Sequence, residues 1–103
     1  MKLIERNINL IRNICKKYRV RRLYVFGSIL TDKFNEQSDV DFSVDFDRDT
    51  ISREELDWAD LFFDFIHELE MTLKRRIDVV VDDHISNPVF RKELDNTKQL
   101  LYG

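Results

Sequence analysis

The chain has few residues that interrupt or cross-link secondary structure. Its 103 residues include two glycines, one proline and one cysteine. A single cysteine excludes an intrachain disulfide and is typical of a reducing compartment. So few glycines and prolines exclude a flexible linker built from them. Together with the length, this predicts one domain over residues 1–103, in the cytoplasm.

Two classes of protein have no signature here. No apolar run approaches the roughly 20 residues that a transmembrane helix needs. Charges interrupt the N-terminal stretch MKLIERNINLIRNICKK, so it does not resemble a signal peptide. The 17 lysines and arginines against 20 acids give a net charge of −3, the opposite of the positive excess on nucleic-acid-binding domains. We expect neither membrane insertion nor direct nucleic-acid binding.

Apolar periodicity predicts three helices. Residues 3–18 and 53–74 repeat apolar side chains at helical spacing. Ser52 and Glu55 fit a capping box at the start of the middle helix. Asn87-Pro88 is expected to begin the last helix, which runs to about Leu101.

Three runs of β-forming residues predict strands at 23–26, 39–46 and 75–82. The first strand ends at Gly27, and one helical turn is expected to begin at Ser28. The element order is then α-β-β-α-β-α. This order predicts an α/β (α+β) fold with a small mixed sheet and helices packed on it.

Several side chains on the helices have structural interpretations. Cys15 lies on the apolar stripe of the first helix and is interpreted as a small buried residue. His67 and His84 are interpreted as surface residues, because no spacing joins them into a metal site. Phe63 and Leu56 fall off the apolar arc of the middle helix. Either they belong to a surface that binds a partner, or a second structural element of the chain covers them.

The stretch SDVDFSVDFD, residues 38–47, predicts a strand with one apolar face and one acidic face. Aspartate is a poor strand former, and like charges on one face repel. The acidic face therefore either lies in water or holds something positive. Asp39 and Asp41 would lie about 6.6 Å apart on that face, where their oxygens can bind one or two divalent cations.

A third carboxylate is available within the run RRIDVVV. Asp78 is surrounded there by β-forming apolar residues, where an acid is out of place unless it faces a ligand or a cation. If its strand pairs beside the acidic strand, Asp78 reaches the same cations.

The remaining acids nearby have simpler interpretations. Asp45, Asp47 and Asp49 lie at the strand end and beyond, and we interpret them as solvated. Asp82 and Asp83 are interpreted as loop residues that follow the last predicted strand.

Gly27 and Ser28 make the pattern more specific. Glycine lets the backbone approach a ligand closely, and a serine opening a helical turn offers its hydroxyl and backbone N–H groups to phosphate oxygens. Ten residues separate Ser28 from Asp39. The spacing is therefore Gly-Ser-x10-Asp-x-Asp.

With these residues the sequence resembles a minimal nucleotidyltransferase, the MNT group of the polymerase-β-like superfamily, over nearly its whole length. The resemblance implies a small mixed sheet with helices on one side. It implies nucleotide phosphates near Gly27 and Ser28, and a pair of Mg²⁺ ions on Asp39 and Asp41. Asp78 would be the third catalytic and metal-binding acid.

The resemblance also implies an activity and a partner. Such proteins are usually encoded beside a HEPN-domain RNase toxin and act as its antitoxin. Characterised members transfer AMP from ATP to a tyrosine of the toxin. Assembly of the chain with that toxin, or with itself, stays open.

The sequence departs from the family pattern at one place. Many members have an Arg-Gly pair shortly after the serine, where this chain has Thr31 and Asp32. Lys33 is the nearest residue that could replace the positive charge. The departure removes one expected phosphate ligand, whereas the Gly-Ser pair and the three acids are intact.

Three other functions compete with a protein adenylyltransferase. A binding antitoxin would mask the toxin by contact alone. A small-molecule nucleotidyltransferase would need an additional acceptor domain, for which a chain of 103 residues has little room. A plain acidic α/β scaffold would leave the coincidence of Gly-Ser, Asp-x-Asp and a strand aspartate unexplained.

Overall fold

The computed structural model describes all residues 1–103 and contains four helices and four strands. In chain order they are α1 (Lys2–Lys17), β1 (Val20–Phe26), β2 (Val40–Phe46), α2 (Arg48–Arg53), α3 (Trp58–Leu73), β3 (Ile77–Val81), α4 (Pro88–Thr97) and β4 (Gln99–Tyr102). Two short 3₁₀ turns, Gly27–Leu30 and Asp82–His84, follow β1 and β3. None of the helices is both long and apolar enough to cross a lipid bilayer.

The strands form one mixed sheet in the order β3-β2-β1-β4. β1 pairs antiparallel with both β2 and β4, and β2 pairs parallel with β3. A parallel pair needs a crossover connection, and α2 and α3 lie within that connection. The predicted fold class is therefore confirmed, as are the predicted first helix and the central positions of the three predicted strands.

The core lies between one face of the sheet and the helices α1 and α3. The alternating apolar residues of β2 are fully or almost fully buried there. Phe46 makes edge-to-face contacts with Trp58 and Phe65, with ring centroids 4.7 and 5.5 Å apart. Tyr18 also packs edge-on against Phe65. This aromatic cluster fixes α3 over β2 and so fixes the crossover that brings β3 alongside.

The fourth helix lies on the opposite face of the sheet. Tyr24 and Phe26 point away from the core face, and each contacts α4. Lys98, the residue that caps α4, lies 4.1 Å above the Tyr24 ring, and Phe90 packs edge-on against Phe26. Leu94 is 1 % exposed yet lies outside the main apolar cluster. The implied arrangement with helices on one side is therefore wrong, because the chain returns across the second face before β4.

The predicted middle helix is two helices with a turn between them. Asp47 caps α2 by accepting a hydrogen bond from the Thr50 N–H, and Asp57 caps α3 by accepting one from the Asp60 N–H. Glu55 has φ +54° and lies in the turn. The capping box at Ser52 and Glu55 is therefore wrong. Asp47 is a helix cap that also faces Arg21 at 3.6 Å, not simply a solvated acid.

The last predicted helix is too long. α4 ends at Thr97, and the next residues form β4, which the sequence analysis missed. Leu100 lies opposite Tyr24 across the β1–β4 pair. Four residues with mixed polarity have too short a pattern to distinguish a strand from the end of a helix. These residues form a strand because they pair with the edge of β1.

The interpretations of single side chains fare differently. Cys15 is buried as predicted, and burial raises the pKa of its thiol to about 12. His67 and His84 are exposed as predicted. Leu56 packs against the core, which favours the interpretation that another part of the protein covers it. Phe63 is 66 % exposed.

Candidate active site

The parallel register of β2 and β3 brings two acids together. Asp41 is paired with Asp78. Both side chains point to the face opposite the main core, because β2 buries Val40 and Phe42 on the other side. The neighbouring pair along the strands is Phe42 with Val79. From the sequence, Asp78 was expected to reach the acidic face only if β3 paired beside β2, and the structure shows that pairing.

Gly27 meets Asp41 from the other side. The last residue of β1, Phe26, lies opposite Asp41 in the antiparallel pair, so the following glycine reaches the carboxylate. A side chain at position 27 would collide with Oδ2 of Asp41. The glycine also has φ +79°, in the left-handed region. A side chain at residue 27 would therefore displace the Asp41 carboxylate and strain the backbone of the Gly-Ser corner.

The electrostatics of Asp41 reflect this crowding. Its pKa is raised above the ordinary value, first by partial burial and then by the charges of Asp78 and Asp39. No basic side chain contributes to the shift. The ionised carboxylate is thus held under repulsion, which a bound cation would relieve.

Asp39 lies just outside the first residue of β2 and is exposed. Its closest charged partner is Arg76, with Nε 3.8 Å from Oδ1 of Asp39. The backbone beside it is fixed, since the Val40 N–H donates to the Arg76 carbonyl at 3.1 Å. Arg76 is a residue that the sequence analysis missed, although it lies two positions before Asp78 in the run RRIDVVV.

The three carboxylates are suitable donors for Mg²⁺, but they do not form a ready cage. No three His, Cys, Asp or Glu side chains are arranged closely enough to hold a metal ion as they stand. Carboxylate oxygens are the donors that Mg²⁺ prefers, and its sites usually include water and substrate phosphates as well. Asp39, Asp41 and Asp78 therefore fit Mg²⁺ by chemistry. Their metal-binding role stays a prediction.

The turn after Gly27 is held by its own threonine. The hydroxyl of Thr31 donates to the Ser28 carbonyl at 2.8 Å and accepts from the Lys33 N–H at 3.2 Å. Thr31, at the position where many family members have arginine, is thus used to close the turn. Asp32 and Lys33 are exposed, and no ion pair of Lys33 is present. Phosphate binding by Gly27 and Ser28 stays a prediction.

The loop between this turn and β2 is anchored by Arg75. Its guanidinium donates to the Asn35 and Ser38 carbonyls at 2.6 Å each and lies 4.7 Å from the centre of the Phe34 ring. The segment that carries Asp39 is therefore tied to the start of β3.

The other acids of this face belong to a separate charged cluster. Asp45 pairs with Arg22 at 3.1 Å, and Asp82 pairs with Arg91 at 2.8 Å. Asp45 and Asp82 are thus ion-paired, not simply solvated or in a free loop. Asp83, after β3, pairs with Arg48, whereas Asp49 is exposed as predicted.

Five main clefts are present on the surface of the protein. None of the five is lined by Gly27, Ser28 or the three acids. One cleft of about 330 Å³ lies between the end of β3 and the start of α4, with Val80, Ile85 and Phe90 as apolar walls. The candidate site is consequently an open edge of the sheet with a neighbouring apolar recess.

The sequence matches a known family. The family described as "Polymerase beta, Nucleotidyltransferase" matches residues 9–103. Two proteins of Methanocaldococcus jannaschii, each named "Putative protein adenylyltransferase", are 30 % identical to the chain. The alignments cover 84 % of this chain and 79 % and 80 % of those proteins.

Solved structures have the same fold. A structure described as a "putative minimal nucleotidyltransferase" superposes with a TM-score of 0.75 at 21 % identity, covering 95 % of this chain and 92 % of that one. A chain of a toxin–antitoxin structure with AMP-PNP gives 0.68 at 20 % identity, over 94 % and 73 %. A chain from the complex of a tri-AMPylated Shewanella oneidensis HEPN toxin with an MNT antitoxin gives 0.63 at 19 % identity, over 96 % and 71 %.

Proposed function

The chain belongs to the polymerase β nucleotidyltransferase family, and we propose that it is a Mg²⁺-dependent protein adenylyltransferase that transfers AMP from ATP to a protein hydroxyl. The proposed acceptor is a tyrosine of a HEPN-type toxin, for which the chain would act as antitoxin in the cytoplasm. The observation that carries the proposal is the pairing of Asp41 with Asp78, against which Gly27 closes.

Two kinds of comparison support a protein acceptor, a nucleotide substrate and a toxin partner. Relatives at 30 % identity are named as protein adenylyltransferases. Proteins of the same fold occur in toxin–antitoxin structures, one of them with AMP-PNP and one with an AMPylated toxin. Those names describe the relatives, and we extend them to this chain because its Gly-Ser pair and three acids lie at one end of the sheet.

The proposed step uses the two sides of the site differently. The triphosphate of ATP lies along Gly27 and Ser28, and the acceptor hydroxyl lies beside Asp78. The hydroxyl gives its proton to the Asp78 carboxylate while its oxygen bonds to the α-phosphorus of ATP. The bond from the α-phosphorus to the bridging oxygen of the β-phosphate breaks, and pyrophosphate leaves with the electron pair. The product is a protein–AMP phosphodiester.

Mg²⁺ held by Asp39, Asp41 and Asp78 would neutralise negative charge on the phosphate oxygens as the bonds change. The chain itself contributes positioning. The strand register fixes Asp41 against Asp78, and the absence of a side chain at Gly27 lets a phosphate come close to the backbone. Most of the rate gain would come from such positioning and from the fixed charges.

Specific observations also favour a second candidate, an antitoxin that acts by binding alone. The carboxylates are not gathered into a metal cage, and Thr31 replaces the arginine that many family members have. In that case neutralisation of the toxin would not depend on Asp41. A small-molecule nucleotidyltransferase has no comparable support, because none of the five main clefts is lined by Asp39, Asp41 or Asp78.

The test uses the protein encoded next to this chain. The two proteins are incubated with ATP and Mg²⁺, and the intact mass of the neighbour is measured. We expect added mass in units of AMP with the wild type and none with Asp41→Asn. The matched control is Asp45→Asn, which removes an acid from the same strand face where it pairs with Arg22, and it should retain transfer.

The outcomes separate the candidates. An unchanged mass with a stable complex would favour the binding antitoxin. Neutralisation of the toxin by Asp41→Asn at equal expression would do the same. An unchanged mass without any complex would contradict both candidates.

A further inference from the structure

The recess beside Asp78 has the properties of a binding site for an uncharged ring. Its walls are apolar at Val80, Ile85 and Phe90, and its rim has polar atoms at His84, Ser86 and Asn87. No lysine, arginine or acid lines it. At about 330 Å³ it lies at the small end of the range for ligand pockets. Phosphate groups would find no cation there.

The recess lies next to the proposed catalytic edge along β3, although none of the three acids lines it. Val80 follows Asp78 by two residues and therefore lies on the same strand face, about 6.6 Å away along β3. It is paired with Ser43, as Asp78 is paired with Asp41. On the other wall, Phe90 packs against Phe26, the residue before Gly27. A group seated in the recess would thus have one end directed towards the carboxylates.

The order of the strands indicates whether ATP or the acceptor lies on the β3 side of the sheet, where the recess is. The Gly-Ser corner is at the end of β1, Asp41 is on β2 with Asp39 just before that strand, and Asp78 is on β3 at the sheet edge. In phosphoryl transfer the attacking and leaving oxygens are roughly in line through the phosphorus. If the pyrophosphate leaves on the β1 side, the hydroxyl arrives from the β3 side, where the recess lies.

We propose that this recess between β3 and α4 seats the ring of a tyrosine acceptor, so that Val80, Ile85 and Phe90 select a phenol over an aliphatic hydroxyl. The inference rests on the proposed adenylyltransferase function. A phenol fills an apolar cavity against the Phe90 ring while its hydroxyl projects towards Asp78. A serine or threonine would place its hydroxyl at the carboxylate and leave the cavity empty. The ring then sets the specificity of the transfer.

Two aspartate variants test the recess on the enzyme. Ile85→Asp introduces a carboxylate into the half-buried wall. Val89→Asp is the matched control, since Val89 is close in sequence but 74 % exposed and lines no part of the recess. With the neighbouring toxin as acceptor, Ile85→Asp should raise the KM for the acceptor about tenfold, because a buried charge is costly, while the KM for ATP stays unchanged. Val89→Asp should change neither constant.

A rise in the KM for ATP with Ile85→Asp would instead assign the recess to the nucleobase and overturn the proposal. Unchanged values for both constants would overturn it as well.

A second measurement does not depend on catalysis. The methyl signals of Val80 and Ile85 are followed by NMR in the wild-type protein during titration with N-acetyl-L-tyrosinamide, with N-acetyl-L-serinamide and adenosine as separate controls. We expect shifts with the tyrosine compound alone. Shifts with adenosine alone, with serinamide equally, or with none of the three contradict the proposal. If the wild type transfers no AMP but the tyrosine compound binds, the proposed function fails and the recess assignment stands.

Discussion

The carboxylate of Asp41 occupies the space that a side chain at Gly27 would need, and no other residue type fits there without displacing it. The contact joins two motifs that are separated in the sequence by a turn and a loop. It makes the position of the acid depend on the backbone of the Gly-Ser corner. Two of the predictions below follow from this relationship.

Replacing Gly27 by alanine should disturb both folding and the site. The new methyl group would collide with Asp41, and φ of +79° costs an alanine about 1–2 kcal/mol. We expect a lower melting temperature and loss of AMP transfer. Thermal unfolding without nucleotide measures the first effect. Ser28→Ala, which introduces no such strain, is the control, and an unchanged melting temperature for Gly27→Ala would contradict the assigned geometry.

Replacing Asp41 by asparagine should stabilise the protein in the absence of metal. Burial and the charges of Asp78 and Asp39 raise the pKa of Asp41, so its ionised form is disfavoured in the folded state. The variant should therefore unfold at higher denaturant concentration at neutral pH. The advantage should disappear below the ordinary pKa of aspartate, where the carboxyl group is protonated in both the folded and the unfolded state.

In millimolar Mg²⁺ we expect the opposite ranking, with the wild type more stable than Asp41→Asn. Binding to the folded state raises the melting temperature of the wild type, and the variant should respond less because one ligand is lost. A wild type that shows no Mg²⁺-dependent shift, with or without ATP, would count against the metal site.

Two phenylalanines on α3 should differ sharply in their effect on stability. Phe65 is fully buried between Phe46 and Tyr18, whereas Phe63 is 66 % exposed. Phe65→Ala should lower the free energy of unfolding by about 3–5 kcal/mol, and Phe63→Ala should change it by less than about 0.5 kcal/mol. Urea denaturation followed by circular dichroism measures both. Equal effects would contradict the packing of α3. A loss of toxin binding by Phe63→Ala without loss of stability would identify a partner surface.

Cys15 should be unreactive in the folded protein. Burial raises the pKa of its thiol from 9.0 to about 12, so no thiolate is available at pH 8. Alkylation by iodoacetamide, followed by mass spectrometry, should occur in denaturant and not in buffer. Because the folded pKa is the higher one, this group leaves stability unchanged below pH 9 and lowers it between pH 9 and about 12. Rapid alkylation of the native protein would show that α1 opens.

Ser43 should be replaceable by alanine without loss of stability. Its side chain is fully buried, and its hydroxyl has no hydrogen-bond partner. Removing an unsatisfied buried polar group is neutral or stabilising. We expect the free energy of unfolding to stay equal or to rise by about 1 kcal/mol. A marked loss would indicate that the hydroxyl has a bound partner such as a water molecule.

The sequence was sufficient to single out the acids that meet at this edge of the sheet, but it left open whether their strands pair. An aspartate among β-branched residues, as at Asp78, is costly unless it faces a ligand, and the alternation around Asp41 assigns that residue to one face. Both patterns are local, so they could be recognised without the structure. The Gly-Ser pair, also local, predicted a close backbone approach to a ligand at Gly27, which stays a prediction; in the structure this glycine lies against the Asp41 carboxylate.

What the sequence did not predict depends on contacts between distant segments. β4 is a strand because the edge of β1 is free to pair with it, and its own four residues do not require that state. The break between α2 and α3 occurs among helix-forming residues, where Leu56 turns back towards the core. Arg76 faces Asp39 because the loop before β2 is tied to the start of β3. None of these contacts produces a periodic pattern in the sequence from which it could be predicted.

The parallel pairing of β2 with β3 also has a consequence for folding. Two acids on adjacent parallel strands cannot meet through a hairpin, so the whole connection through α3 must first dock on the sheet. Contacts of such long sequence separation form slowly. The proposed catalytic edge should therefore be completed no earlier than the aromatic core around Phe65. If Mg²⁺ binds there as proposed, a refolding chain would gain affinity for it in the same kinetic phase in which that ring becomes buried.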